Sequence, residues 1–322
     1  MPSLFENAVA SIRMGVEDYR QQDSDRDVSA VRNFYAGVLL LAKEALVRKA
    51  PDADPKDVIG TSYKPVPDGD GGIAYEAVGG KTIDFNTIAG RFKDFGMVID
   101  HNALKDLNRI RNDMEHHFTE KTDAAVRTAI AKGFPVAASL FRQMEEDPAV
   151  LLGDIWSVML ETRELYEHEL KDAKASLATV QWHSPTIAAA TLKCFACESE
   201  LLEQLDPENS AQEMVDFRCR SCLATPDIAD IIEATIENAF AFDAYTCAKE
   251  GGEEGPVYQC PACERDTYVE TEDSCANCNE SLDYDAEWAR CSNGISIQEY
   301  LDGNDSGLCG YCSYISDKVM RE

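Results

Sequence analysis

The sequence predicts a mainly α protein in two parts: a helical bundle carrying a β-hairpin insertion, then small cysteine-rich β modules separated by a helix. Three observations predict it. Apolar residues recur at helical spacing over most of residues 3–178. None of the 12 cysteines falls before Cys194. From Trp182 onward, Cys-x-x-Cys pairs alternate with short strand-like runs. A chain of 322 residues is long enough to build two cores. The expected domains are a bundle over 1–180, a first cysteine module over 181–225, a connecting helix over 226–250, and a second module with a degenerate third pair over 251–322.

Each element has its own signal. Phe5, Val9, Ile12, Val16 and Tyr19 predict a helix over 3–20. Asp27 or Ser29 is the expected cap of a second helix running to about residue 50, with Val31, Tyr35, Val38, Leu39 and Ala42 as its apolar stripe. Residues 51–67 read as a breaker-rich loop. Segments 73–78 and 81–85 flank Gly79-Gly80, which predicts a hairpin turning there. A short helix is expected around 87–95, then one capped by Asp100 over 101–117. Another follows over 123–146, kinked or broken at Pro135. Pro148 suits the first position of a long helix to about residue 178. The one clear helix of the second half is expected over 226–245.

Charge is uneven. The chain carries 30 Lys+Arg against 59 Asp+Glu, a net −29. Residues 1–180 hold 22 basic and 30 acidic groups, a net −8, which leaves 8 and 29, a net −21, for residues 181–322. Such an acidic second half repels nucleic acid, so any nucleic-acid contact is expected in the first. No leader is legible, because Glu6 interrupts the start before an apolar run forms. The longest apolar run, 36–42, is too short to span a bilayer. A cytoplasmic, reducing location is expected, where clustered cysteines bind metal rather than pair as disulfides.

The helix expected over 101–117 carries the densest chemistry. Leu104, Leu107, Ile110, Met114 and Phe118 fall on one arc, facing the core. Arg111, Glu115, Asn108, Asn112 and His116 follow on the neighbouring face, which has no partner evident from the sequence. Arg111 and His116 are about 140° apart around the helix and about 7.5 Å apart along it. One helix does not easily focus both on one small target; two copies about a twofold axis do, which predicts a homodimer. The bland reading is an Arg111–Glu115 surface pair beside packing histidines.

Arg111-Asn112-x-x-x-His116, late in a helical bundle, resembles the HEPN superfamily (higher eukaryotes and prokaryotes nucleotide-binding) over about residues 3–178. The resemblance implies a HEPN-like bundle and a metal-independent endoribonuclease, often a toxin or phage-defence effector. Arg111, Asn112 and His116 would be its catalytic residues and RNA its substrate. It implies acid–base transesterification at the ribose 2′-hydroxyl, with no catalytic metal. The alternative is a non-catalytic dimeric adaptor, since some HEPN domains serve only as partners.

Cys194-x-x-Cys197 and Cys219-x-x-Cys222 lie 21 residues apart, and Cys260-x-x-Cys263 and Cys275-x-x-Cys278 lie 11 apart. Each set has the spacing of a zinc ribbon and can close a tetrahedral structural Zn²⁺ site. Cys309-x-x-Cys312 is a third knuckle whose mate offers Cys291 alone, with Trp288 three residues before it, so these three are the ligands available for an incomplete third site. Cys247, near the end of the expected 226–245 helix, either completes that third site or is an ordinary buried thiol, and the thiol is the favoured reading. The expected job of the acidic ribbons is to bind a protein partner or inhibitor, or to hold an assembly together.

Overall fold

A computed structural model describes residues 3–116, 123–250, 255–282, 297–302 and 308–320. The chain divides into two compact units, Met1–Glu169 and Leu170–Glu322.

The first unit is built on two long helices, α1 (Leu4–Arg20) and α2 (Ser24–Lys49). Ser3 starts α1 with a capping box: its hydroxyl accepts from Glu6 N at 3.1 Å while the Glu6 carboxylate accepts from Ser3 N at 2.8 Å. The pair packs closely because two glycines let it. A Cβ at Gly15 would lie 2.4 Å from Phe34 N, and one at Gly37 would lie 2.7 Å from Ile12 N. The cap of α2 is Asp23, not Asp27 or Ser29, and Asp23 accepts from Asp25 N at 3.0 Å. Asp27 is instead buried inside the helix, 3.5 Å from Arg127 Nη1. Desolvation raises its pKa, against the opposing pull of Arg127.

The expected loop over 51–67 contains structure. Asp54 caps a short helix, α3 (Pro55–Ile59), with Pro55 in its first turn. Strand β1 (Tyr63–Pro67) pairs antiparallel with β2 (Ile73–Ala77), so the hairpin exists but turns at 68–72 rather than at Gly79-Gly80. Asp68 Oδ1 accepts from Asp70 N and Gly72 N at 3.0 and 2.8 Å, and Gly69 and Gly71 hold φ near +90°. Both strands are largely exposed, so no alternation of burial marked them in the sequence.

Helix α4 (Phe85–Asp94) follows a capping box at Asp84. Helix α5 (His101–His116) has Asp100 accepting from Ala103 N at 3.0 Å. Helix α6 (Asp123–Gln143) runs on through Pro135. The single long helix expected from Pro148 is three: α7 (Pro148–Leu152), α8 (Asp154–Leu160) and α9 (Arg163–Ser176). Gly153, at φ +60°, ends the first. Phe34, Phe134 and Tyr19 stack edge to face at the centre of the bundle, with centroids 5.1 and 5.4 Å apart. The carboxylate of fully buried Glu169 accepts hydrogen bonds from Nη1 and Nη2 of Arg142, tying α9 to α6.

The second unit begins with the last turns of α9 and holds α10 (Pro185–Ala189), β3 (Leu202–Gln204) and β4 (Phe217–Cys219), which pair antiparallel. Helix α11 (Ile228–Glu250) follows, then the three-stranded antiparallel sheet β5 (Val257–Gln259), β6 (Asp266–Val269) and β7 (Ser274–Cys275). Two short helices, α12 (Ile297–Leu301) and α13 (Gly310–Met320), complete the described residues. The helix expected to separate two modules joins them. Ile231, Ile232 and Ile236 of α11 share one core with Phe217 and Cys219 of the first module and Val269 and Ala276 of the second. Among the described residues no helix is long and apolar enough to cross a membrane.

Candidate functional site

Four short turns in the second unit have the same backbone form. Each begins at a buried cysteine: Cys194, Cys219, Cys260 or Cys275. Its carbonyl accepts from the N–H four residues on, at 2.7 to 2.9 Å (Glu198, Leu223, Glu264, Asn279). Its own N–H donates to the carbonyl five residues on, at 2.7 to 2.9 Å. The fourth residue after each lead cysteine lies in the left-handed region, with φ of 59°, 66°, 59° and 60°. Asn279 tolerates that conformation, but Glu198, Leu223 and Glu264 each carry strain of about 1–2 kcal/mol that the rest of the turn must hold.

The reward for that geometry is convergence of sulfur. Cys194, Cys197, Cys219 and Cys222 place their Sγ atoms within 4.8 Å of one another, and so do Cys260, Cys263, Cys275 and Cys278. The closest approaches are 3.8 and 3.7 Å in the first cluster and 3.6 and 3.7 Å in the second. A disulfide needs about 2.0 Å, so these are not disulfides. Four thiolates about 2.3 Å from one tetrahedral ion stand about 3.8 Å apart, so both sets fit a four-cysteine metal site.

The thiols are not equivalent. Burial pushes Cys219, Cys222, Cys260 and Cys278 up. Burial opposes ionisation of Cys197 too, but bonds from Ser199 N–H and from the Cys222 and Cys219 thiols hold it below its usual value. Against its own burial, Cys263 comes down to about 7 through Asn277, the backbone at Arg265, and the Cys275 and Cys260 thiols. A cation entering either site displaces protons from the others. The second cluster has a further neighbour: the buried Thr267 hydroxyl lies 3.2 Å from Cys275 Sγ and 3.9 Å from Cys263 Sγ.

Cys309 and Cys312 adopt a different form. Cys309 immediately precedes α13 and Cys312 lies within it, so the expected third knuckle is the start of a helix. Cys291 lies outside the described residues. Cys247 is half-buried on α11.

In the first unit, Leu104, Leu107 and Ile110 of α5 are buried, as the helical arc requires. The polar face beside them is not without partners in the chain, contrary to expectation. Tyr35 of α2 donates from its hydroxyl to Asn108 Oδ1 at 2.6 Å. The Arg111 guanidinium lies 5.6 Å from the Tyr35 ring centroid, and its Nη1 donates to Asn112 Oδ1 at 2.9 Å. Position 116 is the last of the helix; its side chain, with that of Glu115, lies outside what is described, as do His117 and Phe118. Sequence reasoning placed Tyr35 in the core stripe and missed that its hydroxyl needs a polar acceptor. That need was itself a signal. Gln212, His183 and Thr267 carried no local signal.

The fold and its sites thus define a mainly helical protein whose second unit carries two four-cysteine clusters able to hold metal ions. Comparison with protein-family models, with curated proteins and with solved structures finds no match. No match supports the HEPN resemblance, which is carried by the sequence motif Arg111-Asn112-x-x-x-His116 and stands only as a proposal.

Proposed function

We propose that the first unit is a HEPN-type endoribonuclease, acting as a homodimer, and that the second is a pair of structural zinc ribbons that present or hold a protein partner. The observation that supports the catalytic reading is the joined pair Arg111–Asn112, half-buried on the last turns of α5, with position 116 one turn further on. A guanidinium fixed by a neighbouring amide is a ready clamp for a phosphate. In the proposed reaction the ribose 2′-oxygen loses its proton, attacks the adjacent phosphorus, and expels the 5′-oxygen, which takes up a proton. The product ends are a 2′,3′-cyclic phosphate and a 5′-hydroxyl. His116 carries the proton. Arg111 stabilises the charge that develops on the phosphoryl oxygens. Asn112 orients the guanidinium. The zinc ions take no part in this chemistry, and the toxin or defence role implied by the resemblance belongs to the same proposal.

The competing reading is an adaptor, favoured by the Tyr35–Asn108 bond, which turns part of the polar face into an internal contact. Purified full-length chain incubated with single-stranded RNA in EDTA separates the two. The expected result is cleavage leaving cyclic phosphate ends, lost by about 10²-fold in His116→Ala and in Arg111→Lys, with melting temperatures unchanged. Intact RNA would establish the adaptor reading; variants that lose stability instead of activity would show that Arg111 and His116 are structural and not catalytic. Light scattering is expected to show a dimer at tens of micromolar.

A further inference from the structure

Gln212 is a buried amide with its polar atoms engaged, and its partners belong to both cysteine modules. It stands in the short 3-10 turn at 212–214, between the two knuckles that form the first cluster. Its Oε1 accepts from His183 N at 2.9 Å. Its Nε2 donates to the carbonyls of Ala276 and Asn277, each at 2.9 Å. Ala276 and Asn277 are the two residues between Cys275 and Cys278. One side chain from the first module therefore grips the inside of a metal-binding turn of the second. His183 Nδ1 lies 3.2 Å from Gln212 Nε2 and 3.3 Å from the same Asn277 carbonyl, so the ring stands beside the amide at that turn.

The other knuckle of the second cluster is braced from α11. Glu233 accepts from Arg265 Nη1 at 2.8 Å and from Asp266 N at 3.0 Å, just past Cys263. Glu272 Oε1 accepts from Thr186 N at 2.9 Å, which ties the β6–β7 turn to α10. Below these bonds lies the shared core, where Ala276 itself packs with Cys219 and Ile232. A peptide turn closes on a metal only when its backbone is held in the right form, and a two-residue turn has few atoms of its own to hold it. A buried amide whose bonds are all made fixes that form; with one end removed, two carbonyls and an N–H lose their partner inside the protein.

We propose that Gln212 is a positioning residue for the second metal site, and that through it the two clusters load and release metal as a coupled pair rather than as independent beads. The proposal rests on the reading that both clusters hold metal, and goes beyond it by linking them. Filling the first cluster orders β3, β4 and the 205–216 segment that carries Gln212, and Gln212 then shapes the Cys275–Cys278 turn. Linkage makes the effect reciprocal: metal in the second cluster stabilises the first.

The test is metal release from the full chain into excess chelator, followed with a metallochromic dye, with elemental analysis of the starting protein. Gln212→Leu keeps bulk and removes all the polar bonds. Gln212→Glu keeps the acceptor for His183 N and removes the two donors, and it serves if the leucine variant does not fold. The expected result is release of one ion about ten-fold faster or more in either variant. Cys197→Ser, which cripples the first cluster, is expected to speed release from the second in the native background and to add little in the Gln212→Leu background. Variants that melt as wild type and release both ions at wild-type rates would overturn the coupling alone. Cys197→Ser leaving the second ion untouched would do the same. A chain that purifies with no metal sinks the coupling together with the metal-site reading beneath it.

Discussion

The two units solve the problem of stability by different means. The helical unit buries a continuous apolar interior, with Phe34, Phe134, Phe141 and Trp156 fully enclosed. The second unit has strands of only two to four residues, and its most buried positions include four cysteines, one at the head of each knuckle. Among the described residues each of its four knuckles holds a non-glycine residue in the left-handed region, as does Asp273, whereas in the first unit Gln22 and Glu145 stand there beside five glycines, Gly69, Gly71, Gly79, Gly96 and Gly153. In the second unit such residues recur at the same place in every knuckle, where a metal ion held by the cysteines would close the turn around them.

Removing metal tests that contrast most severely. A strong zinc chelator is expected to unfold the second unit while leaving the bundle folded, because a structural site of four cysteines contributes on the order of 10 kcal/mol and the apolar surface here is small. Thermal melting followed by circular dichroism should then show one helical transition surviving. A single transition that vanishes with chelator would show that the bundle depends on the metal too, and the contrast would fail.

Inside the bundle, the most exacting electrostatic element is Arg142–Glu169, with the carboxylate fully buried. Arg142→Met leaves that charge without its bidentate partner and is expected to cost about 3–5 kcal/mol. The double variant Arg142→Met/Glu169→Leu should recover most of the loss, as replacing a buried pair by apolar groups often does. If the double variant melts as low as the single one, the pair stabilises the bundle outright and the accounting of buried charge is wrong.

The smallest effect is expected at the knuckles. Glu198 is exposed and holds φ +59°. Glu198→Gly removes the steric cost of that conformation and is expected to stabilise the metal-loaded unit by about 1 kcal/mol, measured as a shift of its denaturant midpoint. A loss of stability instead would mean the side chain holds the turn by a contact stronger than its strain.

Much of this architecture was legible before any coordinates. Helical periodicity located α1, α4, α5 and α6 to within a few residues, because an amphipathic stripe is a local property of the chain. Cysteine spacing located both four-sulfur clusters, because two residues between ligands is what a metal-closing turn accommodates. The failures share a cause. Asp27 looked like a cap because Asp is a common one; its inward turn toward Arg127 depends on a residue 100 positions away. The hairpin was placed at Gly79-Gly80 because a glycine pair is a strong turn signal, but the bonds from Asp68 close the chain earlier. The helix from Pro148 was drawn too long because Gly153 at φ +60° stops it after five residues.

The sequence by itself determined which residues could bind metal and which helix bears Arg111, Asn112 and His116, since spacing along one helix or one turn needs no distant partner. Only the tertiary structure decided what those residues meet. Tyr35 stands 73 positions from Asn108, and Gln212 stands 64 from Ala276, yet each pair is in hydrogen-bond contact. Such pairings come from how helices and turns pack, and packing is set by the whole buried surface rather than by any local pattern. The same reason makes α11 a shared core where its sequence read as a connector: its isoleucines were plain, but not that both modules would close over them.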